Sequence, residues 1–327
     1  MAFTAGTATN MADFCTKLYD FLTGDPATPG RDWTVLLRQA TCNNSGVSLA
    51  NGRFEWVLSN VGLSGDETVI IGVREWDYVA GAAWGLDFNC YTSWIPGNLL
   101  WNGNSPLHGR VAYDATWRRF TEHPMLPLTN GSTAYWFMSN RQRVFILARA
   151  NGKYYSAYIG FGNRLGSPSE YPYPLVASGN VNGENVNHAS TSANMRSACD
   201  PRLIASNHGP MVYLPDGSCI TAARTPFVSG LRFIPGSTAM LFNQPVLMDP
   251  APGNKVVTMP IYILVNSSVL MSLDGVDYAH IRSLSSEDII IVAGKKNIAF
   301  QNVASSLAYE MYCADTGMTT TTTTTVP

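Results

Sequence analysis

The chain has 327 residues, long enough to bury a substantial core and to hold two domains. Charged residues make up only 13% of it, about half of the roughly 25% usual in soluble domains, and the net charge is −2, which excludes a general electrostatic attraction to nucleic acid. Of the 21 basic residues 16 are arginine and 5 lysine, a bias that suits contact surfaces, because a guanidinium is less costly to desolvate and grips carboxylates at two points.

Residues 1–30 read as an N-terminal helix and arm. Thr9 or Asn10 can cap a helix whose apolar positions, Met11, Phe14, Leu18, Phe21 and Leu22, recur at spacings of three and four. Gly24, Pro26, Pro29 and Gly30 end it. That apolar stripe, with Phe14 and Phe21 at its centre, packs either on the chain's own sheet or on a neighbouring subunit.

Residues 31–178 read as a β domain. Strands are expected over Trp33–Ala40, Phe54–Leu58, Glu67–Arg74 and Trp84–Tyr91, with glycines and Asn51-Gly52 marking the turns. A long irregular connection from Thr92 to Leu128 follows, carrying Trp94, Trp101 and Trp117 beside Arg110, Arg118 and Arg119. A segment too long for a simple link is usually functional or an interface arm. An aromatic and basic loop can also stack sugars or bases.

The densest β signal lies between Tyr135 and Phe161. Asn151-Gly152 is a strong two-residue hairpin signal and Ser139-Asn140 a weaker break, so the run is expected to form a three-stranded meander. Its middle strand sets Val144, Ile146 and Ala148 on one face against Phe145, Leu147 and Arg149 on the other. Both faces are largely apolar and must be covered, by the rest of the fold or by another chain. Trp136 and Phe145 are candidate contact residues there. The strap that follows, Ser167 to Pro174, contains three prolines, which hold it extended. Tyr171 and Tyr173, set between Pro172 and Pro174, then project as candidate anchors.

Residues 179–313 read as a second β-rich region, entered through an asparagine-rich loop. Short strands are expected at Met211–Leu214, Cys219–Ala222, Val256–Val265, Val269–Leu273, Ile289–Val292 and Ile298–Val303. Asp274-Gly275-Val276-Asp277 resembles half of a calcium loop without its closing glutamate and is read as a turn between two strands. Residues 314–327 form a threonine-rich tail whose composition cannot bury enough surface to order itself alone.

Three patches carry a resemblance. The first runs Tyr135-Trp136-Phe137, Asn140, Arg143-Val144-Phe145-Ile146, Tyr154-Tyr155-Ser156-Ala157-Tyr158-Ile159-Gly160-Phe161 and Glu170-Tyr171-Pro172-Tyr173-Pro174-Leu175. The second is Asp288-Ile289-Ile290-Ile291-Val292, Gly294, Phe300-Gln301-Asn302-Val303 and Ala308-Tyr309-Glu310-Met311. The third, fainter, is Glu67 to Arg74. Together they resemble a family of virion structural proteins from tailed bacteriophages, and they span roughly residues 55–312. The chain departs from that pattern at Ala304-Ser305-Ser306, where the family has a basic residue and a threonine. The resemblance implies a tail, baseplate or neck part, made in a host cytoplasm and built into the virion. Its expected partners are copies of itself and other virion proteins.

Catalytic and metal chemistry is weakly signalled. Cys15, Cys42, Cys90, Cys199, Cys219 and Cys313 are scattered without metal-ligand spacing and are expected as reduced, mostly buried thiols. His108, His123, His188, His208 and His280 are far apart. Asp87, Glu122 and Glu170 are carboxylates of the type glycosidases pair, but sequence does not set their separation. No P-loop, Gly-x-Ser-x-Gly elbow, membrane-length apolar run or cofactor motif occurs.

The expectation is therefore a mainly β fold of antiparallel, sandwich-like sheets with one N-terminal helix and long irregular loops. The expected role is a non-enzymatic subunit of a symmetric tail, baseplate or neck assembly, with no metal, cofactor, nucleic acid or membrane partner. Two rivals remain. One is a receptor-binding or carbohydrate-binding tail component that presents Trp94, Trp101 and Trp117 to a host glycan. The other is a minor capsid or decoration protein.

Overall fold

Asn151 and Gly152 take φ values of 50° and 73°, the left-handed pair that a two-residue hairpin turn requires. The flanking strands, Arg143–Ala150 and Lys153–Phe161, pair without a slip from Ala150↔Lys153 to Arg143↔Gly160. Thr133–Ser139 pairs on the other side of Arg143–Ala150, so the meander forms as expected.

The computed structural model describes residues 1–39, 43–44, 47–48, 55–63, 65, 67–77, 84–94, 113–114, 119–120, 124–164, 175–181, 211–213, 219–221, 223–224, 258–265, 268–279, 284–301 and 311–319. Among the described residues the architecture is mainly antiparallel β with a single helix, Met11–Thr23. The meander is the heart of a middle sheet ordered Ala2–Ala8, Thr133–Ser139, Arg143–Ala150, Lys153–Phe161, Leu175–Ser178, Met211–Tyr213, Cys219–Thr221.

A second sheet covers one face of the middle sheet. Its order is Asn180–Val181, Pro124–Leu128, Trp84–Tyr91, Thr68–Asp77, Glu55–Val61, Thr34–Gln39. Between the two lie Val144, Ile146, Ala148 and Ile159 from the middle sheet and Leu58, Val69, Ile71, Leu86 and Phe88 from the second. The helix closes the same core. Asn10 caps it, its side chain accepting from the Asp13 N–H at 2.9 Å. Phe14 meets the Phe137 ring edge-on at 5.3 Å, and Tyr19 meets Trp56 at 5.9 Å. The docking stripe of the helix is thus filled by its own sheets.

A third sheet covers the opposite face of the middle one. Its order is Ala223–Arg224, Met259–Val265, Ser268–Ala279, Met311–Thr319, Lys295–Phe300, Ile289–Val292, and Asn163–Arg164 pairs onto Ser268–Ala279. Phe145, Leu147, Tyr158 and Val176 pack there against Ile263, Leu273, Tyr278, Phe300 and Tyr312. The two-faced apolar meander is therefore the middle layer of three, and both coverings come from the same chain.

Several expectations change in detail. Ala2–Ala8, rich in small residues, is a strand because it completes the ladder beside Thr133–Ser139. Pro124–Leu128, at the end of the expected irregular connection, is also a strand. Asp274-Gly275 does not join two strands but lies within one long strand, Ser268–Ala279. It sits in an interruption of the ladder, since the Pro260↔Asp277 and Tyr262↔Ser272 pairs leave extra residues on that strand. The boundary expected at 179 falls between strands of adjoining sheets, and the middle sheet continues beyond it at Met211–Tyr213. The tail boundary at 314 falls inside Met311–Thr319. Among the described residues no helix is long and apolar enough to cross a membrane.

Candidate functional site: ties between the layers and an open sheet edge

The turn that opens the meander is built by one side chain. Asn140 Oδ1 accepts from the N–H groups of Gln142 and Arg143, each at 2.9 Å, and its Nδ2 donates to Asp274 Oδ2 at 2.6 Å. The Asn140 side chain, rather than a left-handed backbone, makes this turn. Arg143 alternates with Phe145 and so faces the third sheet, where its Nε donates to Asp274 Oδ2 at 3.4 Å. Its Nη2 lies 2.9 Å from the Met1 sulfur. The Tyr158 hydroxyl accepts from the Asp274 N–H at 3.1 Å and donates to the Phe161 carbonyl at 2.6 Å.

Gly275 makes this approach feasible. Its φ is +65°, and a Cβ there would run into Arg143 Nη2. Burial pushes the Asp274 carboxyl up, but the Arg143 guanidinium and the side-chain bonds of Asn140, Gln142 and Arg143 bring it below the ordinary carboxylate value. The Asp274 carboxylate thus joins the start of the chain, the meander and the third sheet. The chemistry is that of a fastener.

A second tie lies at the rim. Tyr154 and Arg149 both donate to Glu287 Oε1, the tyrosine at 2.7 Å. Burial pushes the Tyr154 phenol up, and its bond to Glu287 adds to that. Glu287 itself holds φ 78°, unusual for a residue with a Cβ, and its N–H donates to the Ala299 carbonyl at 2.7 Å. Arg164 pairs with Glu67, linking the 61–68 hairpin of the second sheet to the strand that joins the third.

The far face of the second sheet holds a third polar group. Glu55, Arg74 and Asp87 are cross-strand neighbours, all essentially buried, with Arg74 Nη2 donating to Glu55 Oε1 at 2.8 Å. Tyr91, buried on the same face, has its phenol pushed well up by desolvation and then by the Glu55 charge. Asp87 is thus placed opposite the positively charged Arg74 on the next strand. Glu122 and Glu170, the other carboxylates of the glycosidase-type set, lie outside the described residues.

The candidate contact residues separate into three groups. Phe14, Phe21 and Phe145 are buried in the chain's own core, so they are not contact surface. The cause is that the helix stripe and both meander faces meet partners within the chain. Trp136 is half-buried and packs against the core between the middle and third sheets, 6.2 Å from the Tyr154 ring. Trp94 is likewise half-buried, edge-on to Tyr91 at 5.5 Å. Tyr171, Pro172, Tyr173, Pro174, Trp101, Trp117 and Arg118 lie outside the described residues. Cys15, Cys90 and Cys313 are buried. Among the described residues no group of three or more His, Cys, Asp or Glu side chains is arranged to hold a metal.

One surface feature was not singled out from sequence. Ile289–Val292 ends the third sheet, and along it Ile289 is 53% and Ile291 40% exposed while Ile290 is buried. The alternation is visible in the sequence only once the strand is known to be an edge. No protein-family model matches the chain, and no curated protein matches it.

Proposed function

We propose that the chain is a non-enzymatic structural subunit of a tailed-phage virion, belonging to a tail, baseplate or neck assembly of symmetric copies. The observation that carries this reading is the use of the charged side chains. In a chain that is only 13% charged, Arg143–Asp274, Arg149–Glu287 and Arg164–Glu67 each fasten one layer or strand to another. Such ties resist shear between layers, which suits a part that bears load. The resemblance of the 135–175 and 288–311 segments to virion structural proteins supports the same reading. Low surface charge favours burial of the outer surface in an assembly.

The test is quantitative mass spectrometry of purified particles of the phage that encodes the chain. The expected result is a copy number in small multiples of three or six, as closed rings require. Absence from the particle, or hundreds of copies as in a capsid lattice, would contradict the proposal.

A further inference from the structure

We infer that the edge strand Ile289–Val292 is a self-pairing surface, which joins two copies of this chain antiparallel about a two-fold axis through Ile290. Such pairing would operate whether or not the chain is built into a virion.

The backbone supplies the first half of the surface. Ala293 and Gly294 form a two-residue turn with φ of 47° and 79°, and Val292↔Lys295 flank it. The pair that flanks such a turn exchanges hydrogen bonds, and bonded and non-bonded pairs alternate along an antiparallel ladder. Ile290↔Asn297 is then bonded, whereas Ile289↔Ile298 and Ile291↔Lys296 are not. The N–H and C=O groups of Ile289 and Ile291 therefore point away from the sheet, into the position of a further strand. An open row of this kind is a template for pairing.

The side chains supply the second half. Ile289 lies opposite Ile298, which belongs to the core between the middle and third sheets, so Ile289 and Ile291 prolong that apolar surface past the rim. About a two-fold through Ile290, Ile289 of one copy falls opposite Ile291 of the other, and the reverse. Four outward backbone bonds form, and the four exposed isoleucines become neighbours on one face.

Charge selects a second copy in this orientation. The strand starts at Asp288, whose carboxylate accepts from the Ser285 N–H at 2.6 Å. It ends at a tip carrying Lys295 and Lys296, which stays net basic although Lys295, 57% exposed, also pairs with Asp315 of its own sheet at 3.0 Å. An antiparallel copy sets the acidic start of one strand beside the basic tip of the other, twice. A parallel copy would set like beside like. The strand is complementary to itself in one direction only.

Sedimentation of the full chain at concentrations in the tens of micromolar tests the pairing. The wild type is expected to sediment as a dimer of the 35.5 kDa chain, or as a larger even assembly. The double variant Ile289→Lys/Ile291→Lys should halve that mass, and in dilute solution, where the wild type is monomeric and both side chains face water, its melting temperature should match that of the wild type. A second measurement uses charge. Asp288→Lys alone and Lys295→Glu/Lys296→Glu alone should each weaken self-association, and mixing the two variants should restore it as a heterodimer. A monomeric wild type, a double variant that keeps its full mass, or mixed charge variants that remain apart would each overturn the inference. Particle stoichiometry is a separate readout, so failure of the virion reading would leave these results unchanged.

Discussion

The middle sheet and the rim of the third sheet are both apolar β structure, yet they end in opposite situations. Every side chain of the central strand from Val144 to Ala148 is buried, three of them under the second sheet and two under the third. At Ile289–Val292 one face of a similar alternation stays open. The difference is position in the stack and not composition. A strand flanked by two ladders and two layers is completed within the chain, whereas an edge strand that overhangs its covering layer is not. Apolar patterning on its own therefore says that a face must be covered, but not by which chain.

The largest expected effect breaks the middle of that comparison. Phe145→Ala should cost about 3–5 kcal/mol, through lost transfer energy and the cavity left beside Phe300, whose ring lies 5.7 Å away. Chemical denaturation should show a lower midpoint with an unchanged slope. Ile291→Lys at the rim should leave that midpoint within about 0.5 kcal/mol of wild type.

Next comes the tie between the layers. Arg143→Ala should cost about 2–4 kcal/mol, less than a fully buried pair, because Asp274 keeps 22% exposure. The same variant should blunt acid sensitivity. The Asp274 carboxyl is held below its ordinary value, so its contribution is present above the unfolded-state pKa and is lost as pH falls through the depressed folded value. Melting temperature against pH should fall less steeply in the variant below about pH 4.

Asp277 sharpens the comparison from the other side. Burial raises its carboxyl, and Asp315 and Asp274 raise it further against a lowering bond from Thr258, which donates at 2.8 Å. A raised folded value means that the charged form opposes folding at neutral pH. Asp277→Asn, which keeps an acceptor for Thr258, should therefore raise the melting temperature at pH 7. The gain should vanish as pH falls below the ordinary carboxylate range. Among the ties, the smaller effect belongs to Arg149→Ala, where a pair with 43% and 35% exposure contributes under about 1 kcal/mol to stability.

The parts that were legible in the sequence are those fixed by local chemistry. Asn151-Gly152 specifies its turn, Asn10 caps the helix, and the alternation from Val144 to Arg149 assigns the two faces correctly. What was not legible depends on partners distant in the chain. Ala2–Ala8 carries little β preference and becomes a strand through pairing with Thr133–Ser139. Asp274-Gly275 has turn chemistry, but the strand continues through it because Arg143, 131 residues away, occupies the space beside Gly275. Likewise, the helix stripe alone did not distinguish an internal sheet from a neighbouring subunit, and the packing of Phe14 on Phe137 decides it.

Residue-resolved hydrogen exchange at two protein concentrations tests most directly that the middle layer is completed within one chain and the rim between chains. The amides of residues 144–148 should exchange slowly at both concentrations, while those of Ile289 and Ile291 should be fast in dilute solution and slow in concentrated solution. Loss of protection at residues 144–148 on dilution would contradict the account, since it would mean that a neighbouring chain, and not the second and third sheets, covers the meander.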